Sequence, residues 1–287
     1  MNRILRRLLP VLCILLTTAA QAQSHYPTGV EGIKGGSLPP PGLYLKDYNF
    51  FYAANKFTGG PPGFNVSTYV QVPRLVWISE FKILGGNYGA DILIPYVYQD
   101  ISFAGFRGSH AGFGDVFFEP ISLSWHTKQL DFGVAYGLWM PTGAFNAANP
   151  VSPGKGYYTN MFTVGGTWFP DDKKTWSVSV LNRYEINDSQ RGTGIRPGQV
   201  YTIEYGIAKA LTPVLECGVV GYWQRQTTFD TGPAAPRVRD GVAALGMEVT
   251  YAFPKIMLFT SLRYLHEFNA TNRPQGDVIN LTLTKRF

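Results

Sequence analysis

Histidines, serines and carboxylates are the groups of this 287-residue chain that could carry chemistry, and their spacing is poor for it. The four histidines are His25, His110, His126 and His266, and no two stand at a short metal-ligand spacing such as H-x-x-x-H. Ser124 and His126 are two apart, so on a strand they would share a face, as a nucleophile and its base require. That pair reads better as polar residues beside a turn, and Ser109-His110 reads as part of a loop. Gly112-Phe-Gly-Asp115 has the look of a phosphate cradle, but no helical pattern follows to aim backbone N–H groups at a phosphate. It reads instead as a tight lead into a strand. The expectation is therefore a chain without catalytic residues, metal ligands or cofactor.

The elements that would position these side chains are strands. Val278 to Phe287 alternates: Ile279, Leu281, Leu283 and Phe287 share one face, and Asn280, Thr282, Thr284 and Arg286 share the other. A sequence ending on such a strand with phenylalanine last is how bacterial outer-membrane barrels close, so these residues are the expected closure strand. Lys285 breaks the pattern and reads as a rim residue near the periplasmic interface. At the other end, Arg3, Arg6 and Arg7 precede an apolar run, Leu8 to Leu16, and the small residues Ala20 and Ala22. That is a secretory signal peptide over residues 1–22, cleaved after Ala22, because the apolar run is about half the ~20 residues of a spanning helix. Its removal leaves Cys217 as the only cysteine, so no internal disulfide staples the exported protein.

Composition fits the same class. Charged residues make up 15% of the chain against about 25% in an average soluble domain, aromatic residues another 15%, and there are 32 glycines. Mean hydropathy is close to zero. After the leader no unbroken apolar stretch reaches helix-spanning length. This is the profile of β-structure facing two solvents. The net charge of +6 falls to +3 once the three leader arginines are removed, and no basic run remains, so no nucleic-acid partner is expected.

Alternation predicts twelve strands, with ten or fourteen also compatible: an all-β, antiparallel, up-and-down membrane barrel over residues 43–287. The strands are Leu43–Ala54, Val66–Phe81, Tyr88–Tyr98, Asp115–Trp125, Leu130–Met140 and Tyr157–Phe169, then Thr175–Ile186, Gln199–Ala210, Val214–Gln224, Val238–Phe253, Ile256–Phe268 and Val278–Phe287. Short links such as His126–Gln129 and Leu211–Pro213 alternate with long Gly/Pro/Asn-rich ones at 99–114, 141–156, 187–198 and 227–237. Short periplasmic turns and long outer loops produce that asymmetry.

Parity then turns Asp131, Trp139, Arg183, Glu185, Glu204, Glu216, Arg263 and Glu267 toward the lumen. Their mixed signs suit bracing of the wall as well as permeation. Trp125, Trp168, Trp176 and Trp223 read as interfacial girdle residues. Glu119 lands on the lipid parity of its strand, and Pro73, Pro95 and Pro120 fall inside proposed strands, where bulges or strand ends are expected. Residues 23–42 are too rich in Pro and Gly for a helix. They form either a periplasmic tail or a plug folded into the lumen, with Tyr26, Ile33 and Leu38 as its apolar contacts.

His25-Tyr26, Gly29-Val-Glu-Gly-Ile33 and Leu38-Pro-Pro-Pro-Gly-Leu-Tyr44 resemble the start of the meta-pathway phenol degradation family. Gly112-Phe-Gly-Asp115 with Glu119-Pro120 and Trp125, the Pro141-Thr-Gly143 corner and Gly221-Tyr-Trp-Gln224 resemble later blocks of it. The resemblance implies an outer-membrane barrel that passes small hydrophobic or aromatic compounds and is linked to aromatic-compound degradation. Implied partners are outer-membrane lipid, the barrel-assembly machinery through the C-terminal strand, and the solute. The alternatives are a structural or adhesive barrel acting through its long loops, and a membrane lipid hydrolase using Ser124 and His126.

Overall fold

The computed structural model describes residues 24–233 and 235–287, and the expected leader, residues 1–22, lies outside the described residues. Fourteen strands form one antiparallel sheet. They are β1 (Gly42–Thr58), β2 (Asn65–Ile83), β3 (Gly86–Leu93), β4 (Tyr96–Phe103), β5 (Phe106–Phe113), β6 (Val116–His126) and β7 (Leu130–Met140). The second half is β8 (Thr159–Trp168), β9 (Trp176–Asn187), β10 (Val200–Ala210), β11 (Leu215–Gln226), β12 (Gly241–Phe253), β13 (Leu258–Thr271) and β14 (Arg273–Arg286). β1 pairs with β14 on one side and β2 on the other, so the sheet closes on itself. Twelve strands are staves of the barrel, and β4–β5 form an added hairpin that extends β2 above the long-loop rim.

That hairpin corrects the sequence reading, which treats 99–114 as a loop. Ala104 (φ +48°) and Gly105 (φ +86°) make its two-residue turn, with both residues in the left-handed region that two-residue hairpins favour. The predicted third strand is likewise split, with Ile94 and Pro95 between β3 and β4. All three awkward prolines sit where a donor is dispensable. β2 pairs with β4 up to Gln71 and with β3 from Arg74, and Pro73 falls at the change of partner. Pro95 occupies the break itself. Pro120 lies in a bulge where the β6–β7 register slips between Phe118 and Ile121.

The bulge also corrects Glu119. Parity puts it on lipid, but the extra residue turns it inward, where it is buried 3.6 Å from Arg74. In hydrocarbon an acid there would cost free energy with nothing to offset it. Smaller differences concern ends: β14 begins at Arg273, five residues earlier than predicted, so a single residue, Asn272 (φ +51°), links it to β13. β13 begins at Leu258 after a 3-10 turn, Pro254–Ile256, and Lys285 donates to the Ile256 carbonyl beside that turn.

Elsewhere the alternation holds. On β14, Ile279 is 47% exposed while its neighbours Val278 and Asn280 are sealed inside. The short-turn rim carries outward Trp77, Trp168 and Trp176, and Trp125 stacks on Phe132 at 4.8 Å. At one of its turns Asp171 accepts the N–H groups of Thr175 (2.9 Å) and Trp176 (2.8 Å), which hold its carboxyl down at about 2.

Candidate solute passage

Ser24 to Pro41 lies inside the barrel. Three glutamates on the β9–β12 wall take its backbone N–H groups: Glu185 accepts from Tyr26, Glu204 from Gly29 (2.9 Å) and Glu31, and Glu248 from Ile33 (2.7 Å). Two arginines match them. Arg183 pairs with Glu204 at 2.6 Å and stacks 4.0 Å from the Tyr26 ring, while Arg263 pairs with Glu248 at 2.7 Å and donates to the Gly29 carbonyl. Asn280 and Ser179 donate to the carbonyls of Val30 and Gly32. A chain with neither helix nor strand thus has its polar backbone satisfied by buried wall side chains. Gly36 lies flat on β8, where a Cβ would collide with the backbone of Gly166.

On the side of β1 and β2, contact with the segment is different. Among the described residues the Glu31 side chain bridges to the ionic groups there, accepting from Tyr48 Oη (2.6 Å) and Lys46 Nζ (3.2 Å) with Arg74 at 3.7 Å, and Tyr44 Oη donates to the Pro40 carbonyl (2.7 Å). Arg74 is also paired with Asp91 at 2.6 Å.

Nearer the long loops, Asp115 joins three elements. Its carboxylate accepts from His25 Nε2 (2.9 Å), from the Gly143 N–H (2.9 Å) and from the Lys155 N–H (2.7 Å). His25 lies 2.7 Å through Nδ1 from Thr159 Oγ1, stacks on Trp139 and meets Tyr157 edge-on. Burial pushes the His25 ring down to about 4 although its bond to Asp115 pulls the other way, so the ring is neutral near pH 7. Burial would raise Asp115, but His25 and the two loop N–H groups outweigh it and hold the carboxyl below its ordinary value. The 141–158 loop is thereby folded inward, with Ser152 and Pro153 over the lumen.

Between that loop and the segment is a cavity of about 300 Å³. Its wall on β1, β2 and β4 is largely apolar: Phe50, Val66, Val70, Val72, Val97 and Ile101, with Leu93 and Val278 beside them and Thr68, Arg74 and Gln99 as its polar members. Barrel interiors are ordinarily polar. Here the β9–β13 side grips the segment with charged groups, and the long-loop part of β1, β2 and β4 presents a largely apolar surface above the Lys46 and Arg74 pair. A dry apolar cavity of about 150 Å³ is enough to take up benzene, so this one has room for a substituted single ring. A second cavity, of about 90 Å³, lies on the short-turn side of Glu31, against Tyr44, Lys46 and Val76.

Residues 49–283 match the family described as "Putative MetA-pathway of phenol degradation". The chain belongs to that family. No curated protein matches the sequence. Among solved structures, an outer membrane channel from Pseudomonas putida F1 superposes with a TM-score of 0.78 at 13% identity, over 92% of this chain and 100% of that one. The β domain of the Bordetella autotransporter BrkA gives 0.52 at 14% identity, over 87% and 100% of the two chains. The translocator domain of NalP from Neisseria meningitidis gives 0.50 at 12%, over 95% and 93%. These likenesses establish an outer-membrane barrel fold.

In this member of the phenol degradation family, the eight residues assigned to the lumen by parity are all buried. Arg183, Glu185, Glu204 and Arg263 grip the segment directly, Glu216 takes Lys34 (2.7 Å) and Asp131 takes Ser37 (3.1 Å). Glu267 instead accepts from Tyr222 and Tyr52, and Trp139 packs on His25. Of the segment's apolar residues, Tyr26 donates to Glu204 (2.6 Å), Ile33 packs against the core and Leu38 lines the smaller cavity. Sequence reasoning missed Glu31, Lys46, Arg74, Asp91, Glu248 and the role of His25 and Asp115. Glu248 shared inward parity with Val242 and Ala244, which was a usable signal. The proposed hydrolase pair is not assembled, since His126 faces Asp131 at 3.2 Å and Ser124 Oγ has no hydrogen-bond partner.

Proposed function

We propose that this protein is an outer-membrane channel for passive passage of small hydrophobic or aromatic compounds, serving cells that degrade aromatic molecules. The carrying observation is the apolar lining of the larger cavity: Phe50, Val66, Val70, Val72 and Ile101 point inward, whereas the wall that holds the segment presents Arg183, Glu185, Glu204, Glu248 and Arg263. Lining a water-filled pore with such residues would gain nothing, whereas a cavity for an apolar solute needs them. The solved barrel from Pseudomonas putida F1 is itself a channel, which supports the reading. In this proposal Ser24 to Pro41 is the lumen plug, the short-turn rim faces the periplasm after removal of residues 1–22, and the outward face of Ile279, Leu281, Leu283 and Phe287 meets lipid and the assembly machinery.

Against the adhesive alternative for the 142–156 loop stands its tie to Asp115 inside the mouth, through the N–H groups of Gly143 and Lys155. The test is binding: titration of the purified protein with toluene or phenol, read by tryptophan fluorescence, should saturate. A linear response no different from that of free tryptophan would overturn the proposal.

A further inference from the structure

The two cavities meet at one ionic cluster. Glu31 and Arg74 line both, and Lys46 lines the smaller one just below. Lys46 and Arg74 stand directly opposite each other in the β1–β2 register and both face the lumen. Two cations across a strand pair repel, and the Glu31 carboxylate placed between them relieves that repulsion.

The rest of the segment is held differently. From Tyr26 to Ile33 its backbone bonds go mainly to Glu185, Glu204, Glu248 and Arg263 on β9, β10, β12 and β13, with Asn280 of β14 beside β1, and lower down Tyr44 and Arg286 donate to the carbonyls of Pro40 and Pro41. Freeing the backbone would strand several buried charged groups at once, and each is costly to leave unpaired. Swinging the Glu31 side chain breaks only its bonds to Lys46 and Tyr48 and its approach to Arg74, while Arg74 keeps Asp91 and Glu119. Inward positions along β1 and β2 continue from one cavity to the other on that same wall: Phe50 and Tyr48 above, Lys46 and Tyr44 below.

We propose that Glu31 is a single-side-chain bar across the passage, so that solute moves from the larger cavity to the smaller along the β1–β2 wall while the segment's backbone stays seated. Lys46 and Arg74 hold the bar closed and set the charge of the constriction. The proposal rests on the channel reading above and specifies where in the lumen passage is limited.

Planar-bilayer recordings of the full chain in a potassium chloride gradient test it through charge. Glu31→Gln should raise single-channel conductance several-fold and shift the reversal potential toward chloride, because Lys46 and Arg74 lose their counter-charge. Lys46→Met should raise conductance as well and shift the reversal potential the opposite way, toward potassium. General loosening of the structure would not produce shifts of opposite sign. Should Glu31→Gln fail to fold, Lys46→Met alone carries the test. Unchanged reversal potentials in the folded variants, or shifts of the same sign, would overturn the bar. The toluene titration, run alongside, separates the two levels. Saturable binding with unaltered recordings removes only the bar, and absence of binding to the unaltered protein removes the channel reading.

Discussion

Asp115 shows how much one carboxylate can organise. It joins the inserted segment through His25 to the folded-in loop through Gly143 and Lys155. Asp115→Ala strands two buried donors, His25 Nε2 and the Gly143 N–H, each at about 1–3 kcal/mol, and releases the part-buried Lys155 N–H. The expected result is faster tryptic cleavage at Lys34 and Lys155 while the barrel stays folded; cleavage at the wild-type rate would refute the coupling. His25 adds a pH dependence. Its seated pKa of about 4 lies below the ordinary 6.5, so as pH falls through that window a released segment takes up a proton that the seated one refuses. Seating is strongest above pH 6.5 and weakens toward pH 4, by at most about tenfold per unit. Conductance should rise over that range, and His25→Phe should flatten the part of the rise that His25 causes.

The strands β1, β2 and β4 make the apolar wall, and their side chains set what the cavity holds. Removing a buried valine-sized contact costs about 1.5–3 kcal/mol, so Val70→Asn should weaken toluene binding at least about tenfold. A titration curve unchanged by that substitution would place the solute elsewhere. Most staves were legible in the sequence because lipid on one face and lumen on the other force a strict period of two. The β4–β5 hairpin escaped for the same reason in reverse. β5, Phe106 to Phe113, is exposed along nearly its whole length, and with similar surroundings on both faces the alternation disappears. Glu119 was misplaced because the Pro120 bulge shifts parity by one, which spacing alone does not reveal. The cluster of Glu31, Lys46 and Arg74 was illegible because it exists only when β1 and β2 curve round an inserted chain.

At the scale of the whole molecule, a barrel of twelve staves holds an inserted segment by charged groups on β9–β13 and keeps an apolar cavity beside the long-loop half of β1, β2 and β4. Deleting residues 24–41 should therefore open the lumen, giving a large conductance in planar bilayers, and lower the thermal stability of the barrel because Glu204, Glu248 and Arg263 lose partners. A deletion variant with wild-type conductance would show that the segment does not obstruct the lumen. The central claim is that the apolar wall carries small apolar molecules across the outer membrane, and uptake tests it most directly. Gram-negative cells producing the protein should take up dilute radiolabelled toluene faster than cells without it, and cells producing Val70→Asn at equal abundance should lose most of that gain. Equal uptake rates in all three would contradict the account.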